Sequence, residues 1–129
     1  MKVLFSASTR ELELSGTGQE FLRLSRDLRS ADSAFSLFED PDPHPYETAL
    51  RRMEIRQAVG KVKIHVPADG VLEIGGDSDS MAFLAENIED FAVSASGSYH
   101  WHVEHFPGHE YLDEASVPLV VMIDGSGES

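Results

Sequence analysis

The sequence predicts an α+β domain, a curved and largely antiparallel sheet with two helices on one face. Three observations carry this. Short stretches in which apolar and polar residues alternate recur along most of the chain, the pattern of strands with one buried face. Only two segments place apolar residues at helical spacing. Turn sequences join most neighbouring strands, and two helices are too few to cover both faces of a doubly wound sheet. A length of 129 residues suits a single domain, 1–129, able to hold a core without disulfides.

The elements follow in order. Residues 3–7 and 11–15 read as strands, the second alternating Leu12 and Leu14 with acids and ending at Gly16. Thr17 and Glu20 have the spacing of a capping box, and Phe21, Leu24, Leu28 and Ala31 then form one helical stripe. Residues 34–38 alternate briefly before a loop stiffened by Pro41, Pro43 and Pro45. Strands are expected over 52–57 and 61–66 around a turn at Gly60, and over 71–74 after the turn 67–70. A second helix begins near Asp77 or Ser78, with the stripe Met81, Leu84, Ile88 and Phe91. Residues 94–98 form a Ser/Gly link. A strand over 99–105, a loop over 106–118 and an apolar strand over 119–123 complete the domain, and 124–129 read as a frayed tail.

Leu72, Glu73, Ile74 and Gly76 stand 60 residues after Leu12, Glu13, Leu14 and Gly16, and the two helical stripes keep the same offset. The common spacing suggests an internal duplication of a strand–Gly–helix unit, with repeats over about 1–60 and 61–123. The competing reading is that two amphipathic strand–helix pairs simply look alike.

Charge excludes several functions. Ten Lys and Arg against 23 Asp and Glu give a net charge of −13. All ten basic residues lie between Lys2 and Lys63, and the chain from residue 64 onward has thirteen acids and no Lys or Arg. A half without fixed positive charge cannot neutralise phosphates, so neither nucleic acid nor an anionic membrane is an expected partner. A basic protein suits it better. The absence of cysteine removes disulfides, thiolate nucleophiles and cysteine-based metal sites. No apolar run is long enough to cross a membrane as a helix, and the start MKVLFSAS lacks the apolar core of a signal peptide, so a cytoplasmic location is expected. Neither a GxSxG elbow nor a phosphate-binding glycine motif is present, no cofactor is called for, and an enzyme is not expected.

The densest chemical group is YHWHVEHFPGHEY, residues 99–111. On a strand, His100, His102 and Glu104 share one face, and Tyr99, Trp101, Val103 and His105 the other. His100 and His102, with His109 as a third ligand, are the weaker candidates for a metal site; a solvated sheet face carrying histidines is the plainer reading. Asp77 and Asp79 read as helix N-terminal residues. The loop 106–118 sets Phe106, Tyr111 and Leu112 among acids and prolines, a mixture of apolar anchors and charged surround that suits an interface. The candidate partner-binding residues are therefore Tyr99, Trp101, His105, Phe106, His109, Tyr111, Leu112, Asp113 and Glu114. The alternative for the aromatic residues is that the loop folds back onto the core.

The segment from about residue 69 to 123, DGVLEIGGDSDSMAFLAENI through YHWHVEHFPGHEYLDEAS to VPLVVMI, resembles the small immunity proteins of bacterial polymorphic toxin systems. Tyr99, His100, Trp101, His102, His105, Gly108, Tyr111, Leu112, Ser116 and Pro118 occupy the recognisable strand and loop positions. The resemblance implies a non-enzymatic protein that binds and neutralises a cognate toxin, and an acidic inhibitor would suit a basic toxin. Two other readings stand beside it: a homo-oligomeric structural or regulatory protein, for example a homodimer, and a histidine-based metal-binding protein.

Overall fold

The structure, a computed structural model, describes residues 1–30, 32–94 and 100–123. Its elements are β1 (Lys2–Ser6), β2 (Glu11–Gly16), α1 (Gly18–Arg29), β3 (Ser33–Ser36), β4 (Thr48–Ala49), β5 (Arg52–Gln57), β6 (Lys63–Ala68), β7 (Val71–Gly76), α2 (Ser78–Ser94), β8 (His100–Val103) and β9 (Leu119–Ile123). The class is α+β, with two helices and mostly antiparallel strand pairs. Ala31, Tyr99, most of the Ser/Gly link and the 124–129 tail lie outside the described residues.

The strands form two sheets where one was expected. One has the order β4-β1-β2-β9-β8 and the other β3-β5-β7-β6. Each contains a single parallel pair at its centre. In β2 and β9, Leu12 faces Leu119 and Leu14 faces Val121; in β5 and β7, Met53 faces Leu72 and Ile55 faces Ile74. Parallel neighbours need a long connection, and here β3 and β5 after α1, and β8 and β9 after α2, join the sheet opposite the hairpin that precedes the helix. The hairpin β1–β2 is completed by β9 and β8, and the hairpin β6–β7 by β5 and β3. Periodicity identifies a strand and its buried face but not its neighbour, so the exchange was not legible in the sequence.

Both helices start where their caps dictate. Thr17 Oγ1 accepts from the Glu20 N–H at 3.1 Å, and Glu20 Oε1 accepts from the Thr17 N–H at 2.9 Å. The other Glu20 oxygen meets the N-terminal ammonium at 2.6 Å. On α2, Asp77 Oδ1 accepts from the Ser80 N–H at 2.8 Å, and this backbone bond holds the Asp77 carboxyl below its ordinary pKa. The helices pack on each other and share one core cluster with the inner faces of both sheets. Phe21, Leu24, Leu28, Met81, Leu84 and Ile88 all lie in it. Phe91 joins the edge of this core, perpendicular to Phe21 and tilted against Trp101.

Each hairpin strand that would have left a free edge is covered by a loop from the adjoining strand pair. Beside β1, the Leu50 N–H donates to the Val3 carbonyl at 2.8 Å, and β4 adds a short ladder absent from the sequence reading. Beside β6, the loop after β8 does the same work. The expected strand 61–66 runs instead over Lys63–Ala68, because Val62 is drawn into a bridge with Leu112. Val62 also approaches Gly76 so closely that a Cβ on Gly76 would lie 2.9 Å from the Val62 Cα.

Candidate binding surface

The loop between β8 and β9 is fixed to β6 by backbone pairing. The Val62 N–H donates to the Tyr111 carbonyl and the Asp113 N–H to the Val62 carbonyl, both at 2.7 Å; the Val117 N–H reaches the Ile64 carbonyl at 2.8 Å. Ser116 bridges the gap: its hydroxyl accepts from the Ile64 N–H at 3.0 Å and donates to the Val62 carbonyl at 3.2 Å. Lys61 Nζ donates to the His109 carbonyl. These bonds satisfy both the sheet edge and the loop backbone, which explains why an irregular segment can pack here.

His109 organises the inner side of the loop. Its ring is buried, and Nδ1 accepts from the backbone N–H groups of Leu112 at 3.1 Å and Tyr111 at 3.3 Å. An acceptor at Nδ1 requires the neutral imidazole with its proton on Nε2. Burial lowers the His109 pKa, the neighbouring His105 and Lys61 side chains lower it further, and Glu110 opposes them. Tyr111 is pushed the other way, chiefly by burial; the hydrogen bond to its hydroxyl from Asn87 Nδ2, 3.0 Å long, offsets part of this.

The aromatic rings form a continuous strip. Phe106 lies 4.6 Å from His109, His109 meets Tyr111 edge-on at 4.7 Å, and Tyr111 stacks on Phe83 of α2 at 6.2 Å. The middle of the strip is buried while its ends are open, Phe106 being 58% and Phe83 47% exposed. Large apolar side chains are thus left in solvent at both ends of one packed strip, the kind of feature that interaction surfaces carry.

Carboxylates accompany the elements that carry the strip. Asp79 and Glu86 flank Phe83, and Glu104, Glu110, Asp113 and Glu114 accompany the loop. None of these six forms an ion pair among the described residues. Much of the basic complement of the first half is engaged elsewhere: Lys2 with Asp40, Arg52 and Arg56 with Glu54, Arg56 also with Glu73, and Arg29 with Glu89. The surface is thus apolar at its ends and negative around them, a combination suited to binding a cationic protein.

The candidate residues occupy three kinds of position. Leu112 is fully buried, and Tyr111 and His109 nearly so; they hold the loop from beneath. Trp101 is half-buried on the inner face of β8 against Phe91, and His105 is half-buried beside His109. Phe106 and Glu114 are exposed and Asp113 is half-exposed, whereas Tyr99 lies outside the described residues. His100 and His102 are exposed on the outer face of β8, opposite Met122 and Val120. Among the described residues no group of three or more His, Asp or Glu is placed to hold a metal ion. Phe83, Asn87 and Lys61 are the contributors that sequence reasoning missed, and Ser116, placed there by the resemblance alone, gains its role from the two hydrogen bonds to β6 and Val62. Phe83 had a signal: it is a large aromatic out of phase with the buried stripe of its own helix.

Residues 71–123, under half of the chain, match the model of a family described as Immunity protein 32. The matched segment runs from the start of β7 through α2 and β8 to the end of β9. No match is found among curated proteins or solved structures. No helix among the described residues is long and apolar enough to cross a membrane.

Proposed function

We propose that this protein is a non-enzymatic inhibitor that neutralises a basic protein toxin by binding it directly through the acid-rimmed aromatic strip. The observation that carries the reading is a coincidence of position: Phe83, Phe106, His109 and Tyr111, which build the strip, all fall inside the segment that matches the Immunity protein 32 family. Only part of the chain matches, and that part contains strands that need β2 and β5 as neighbours, so the first half acts as the scaffold that completes both sheets. Unlike charge steers the partner to the surface, and the exposed rings anchor it.

The test is to capture partners from the source cells on the immobilised protein at low and high salt, then to reconstitute the complex from purified components. A stoichiometric basic partner, bound more weakly at high salt and toxic to cells unless this protein is co-expressed, is the expected result. A partner whose toxicity is unchanged by co-expression, or recovery of nothing but further copies of the chain, would refute the reading.

A further inference from the structure

We infer that the shallow pocket on α2 formed by Asp79, Ala82, Phe83 and Glu86 is a receptor for an arginine guanidinium presented by the cationic partner. The inference rests on the binding function proposed above and assigns the chemistry of one contact within it. The four residues stand at i, i+3, i+4 and i+7, so they share one exposed helix face. Ala82 provides a low floor. Phe83 is 47% exposed although its ring also stacks on Tyr111. Asp79 and Glu86 are exposed at opposite ends of the pocket and form no ion pair among the described residues.

An aromatic ring bordered by two carboxylates matches a planar cation. A guanidinium can lie against the ring and direct its N–H groups to the carboxylates at either end. A lysine ammonium, more compact and more strongly hydrated, gains the charge attraction but little from the ring.

The same four helical positions of α1, sixty residues earlier, carry Gln19, Leu22, Arg23 and Arg26 and line, with Thr17 and Glu20, a comparable pocket in which arginines stand where α2 has its aromatic and acidic groups. The frame is therefore a property of the helix face, whereas the acidic and aromatic chemistry is particular to α2. Arg23 and Arg26 also make a second copy of this chain the rival occupant. The net charge of −13 disfavours that pairing, since it drives two copies apart and draws a cationic partner in.

The test uses isotope-labelled protein titrated with tri-arginine amide and tri-lysine amide, followed by NMR. The arginine peptide is expected to shift the amides of Ala82, Phe83 and Glu86 and to bind roughly fivefold more tightly than the lysine peptide. Phe83→Leu should abolish that preference, and Glu86→Gln should weaken both peptides severalfold. Both positions are exposed, and circular dichroism will verify that the variants fold. Equal affinity for the two peptides, or shifts spread over the acidic surface without saturation on α2, would overturn the assignment. So would self-association in sedimentation experiments that disappears in R23Q/R26Q protein, because the pocket would then belong to a second copy. Failure of the wider function is read separately: if Phe106→Ala loses the toxin while Phe83→Leu and Glu86→Gln keep it, the binding surface stands and the arginine pocket falls.

Discussion

Arg29 and Glu89, sixty residues apart, meet across the contact between α1 and α2 in a two-pronged ion pair, with Arg29 Nη2 3.1 Å from Glu89 Oε1. That separation equals the offset between Leu12 and Leu72 and between Leu24 and Leu84. A residue that touches its own counterpart lies near a twofold axis relating the two copies of a unit. A twofold arrangement of the two hairpin-and-helix units would bring counterparts together in this way, and Ser25 Oγ adds a contact to Glu89 at 3.1 Å. A duplication of the unit is the proposal this geometry favours.

The pair predicts a charge-swap result. Each partner moves the other's titration toward the ionised state through their hydrogen bond: Arg29 holds Glu89 below its ordinary pKa, and Glu89 raises that of Arg29. The site is partly exposed, so solvent screens it. Arg29→Glu or Glu89→Arg alone should lower Tm by about 2 °C. The double swap should recover most of the loss, but not all, because Ser25 loses its carboxylate. Thermal melts of the four proteins check this, and a double swap as unstable as the sum of the singles would show that the pair does not couple.

His109 gives a pH dependence with a definite sign. Its folded pKa is lowered, so the unfolded chain takes up the proton more readily than the native loop. Stability from this group is full above the ordinary histidine value of 6.5 and declines as pH falls through it toward the lower folded value. Burial of the ring is the main reason, and a protonated Nδ1 would in addition face the Tyr111 and Leu112 N–H groups, donor against donor. Protection of the Tyr111 and Leu112 amides, taken as exchange relative to the intrinsic base-catalysed rate, should fall as pH drops from about 7.5 to about 5.5, more than at core strand positions. His109→Ala should remove this dependence and, by leaving two buried donors unpaired, cost about 1–3 kcal/mol at neutral pH. Protection factors at these two amides that stay flat with pH would count against the histidine latch.

Phe106 and Leu112 should separate binding from folding. Both were read as one recognition loop, yet Leu112 is fully buried and Phe106 is 58% exposed. Leu112→Ala is expected to destabilise by about 2–5 kcal/mol through the cavity it leaves. Phe106→Ala should stay within about 0.5 kcal/mol of the parent in denaturant unfolding and lose partner affinity at least tenfold. Intact affinity in the Phe106 variant would move the contact surface away from the loop.

These contrasts show which parts of the molecule the sequence encodes locally. The capping box at Thr17, the stripes of both helices and the inner faces of β8 and β9 are set by neighbours within a few residues, and periodicity finds them. The partnership of Val62 with Leu112 and the crossing of β5 to β7 depend on residues far apart in the chain, and composition carries no trace of them. The candidate surface falls between these cases. Its loop stands out as an aromatic and acidic cluster, but the burial of His109 and Tyr111 beneath it depends on Lys61, Ser116 and Asn87, ordinary polar residues whose roles exist only in three dimensions.

The exchange of strands predicts that the molecule cannot be divided. Cutting the chain between Gly60 and Lys61 leaves β2 without β9 in the first piece and β7 without β5 in the second. Each central strand would then expose an apolar edge: Leu12 and Leu14 on one side, Leu72 and Ile74 on the other, all buried in the intact protein. Neither piece retains a four-stranded sheet: the first keeps β4-β1-β2 and β3-β5, the second β6-β7 and β8-β9, each with one of the two helices that share the core, too little to fold independently. Fragments 1–60 and 61–129 should therefore each show poor NMR dispersion alone and regain native dispersion when mixed in equal amounts, while the intact chain unfolds in one cooperative step. The 61–129 fragment is the more demanding case, because it contains the whole segment that matches the immunity family. If that fragment folded alone, its strands would have to pair with one another as a self-contained unit, and the exchanged topology would not be what holds the protein together.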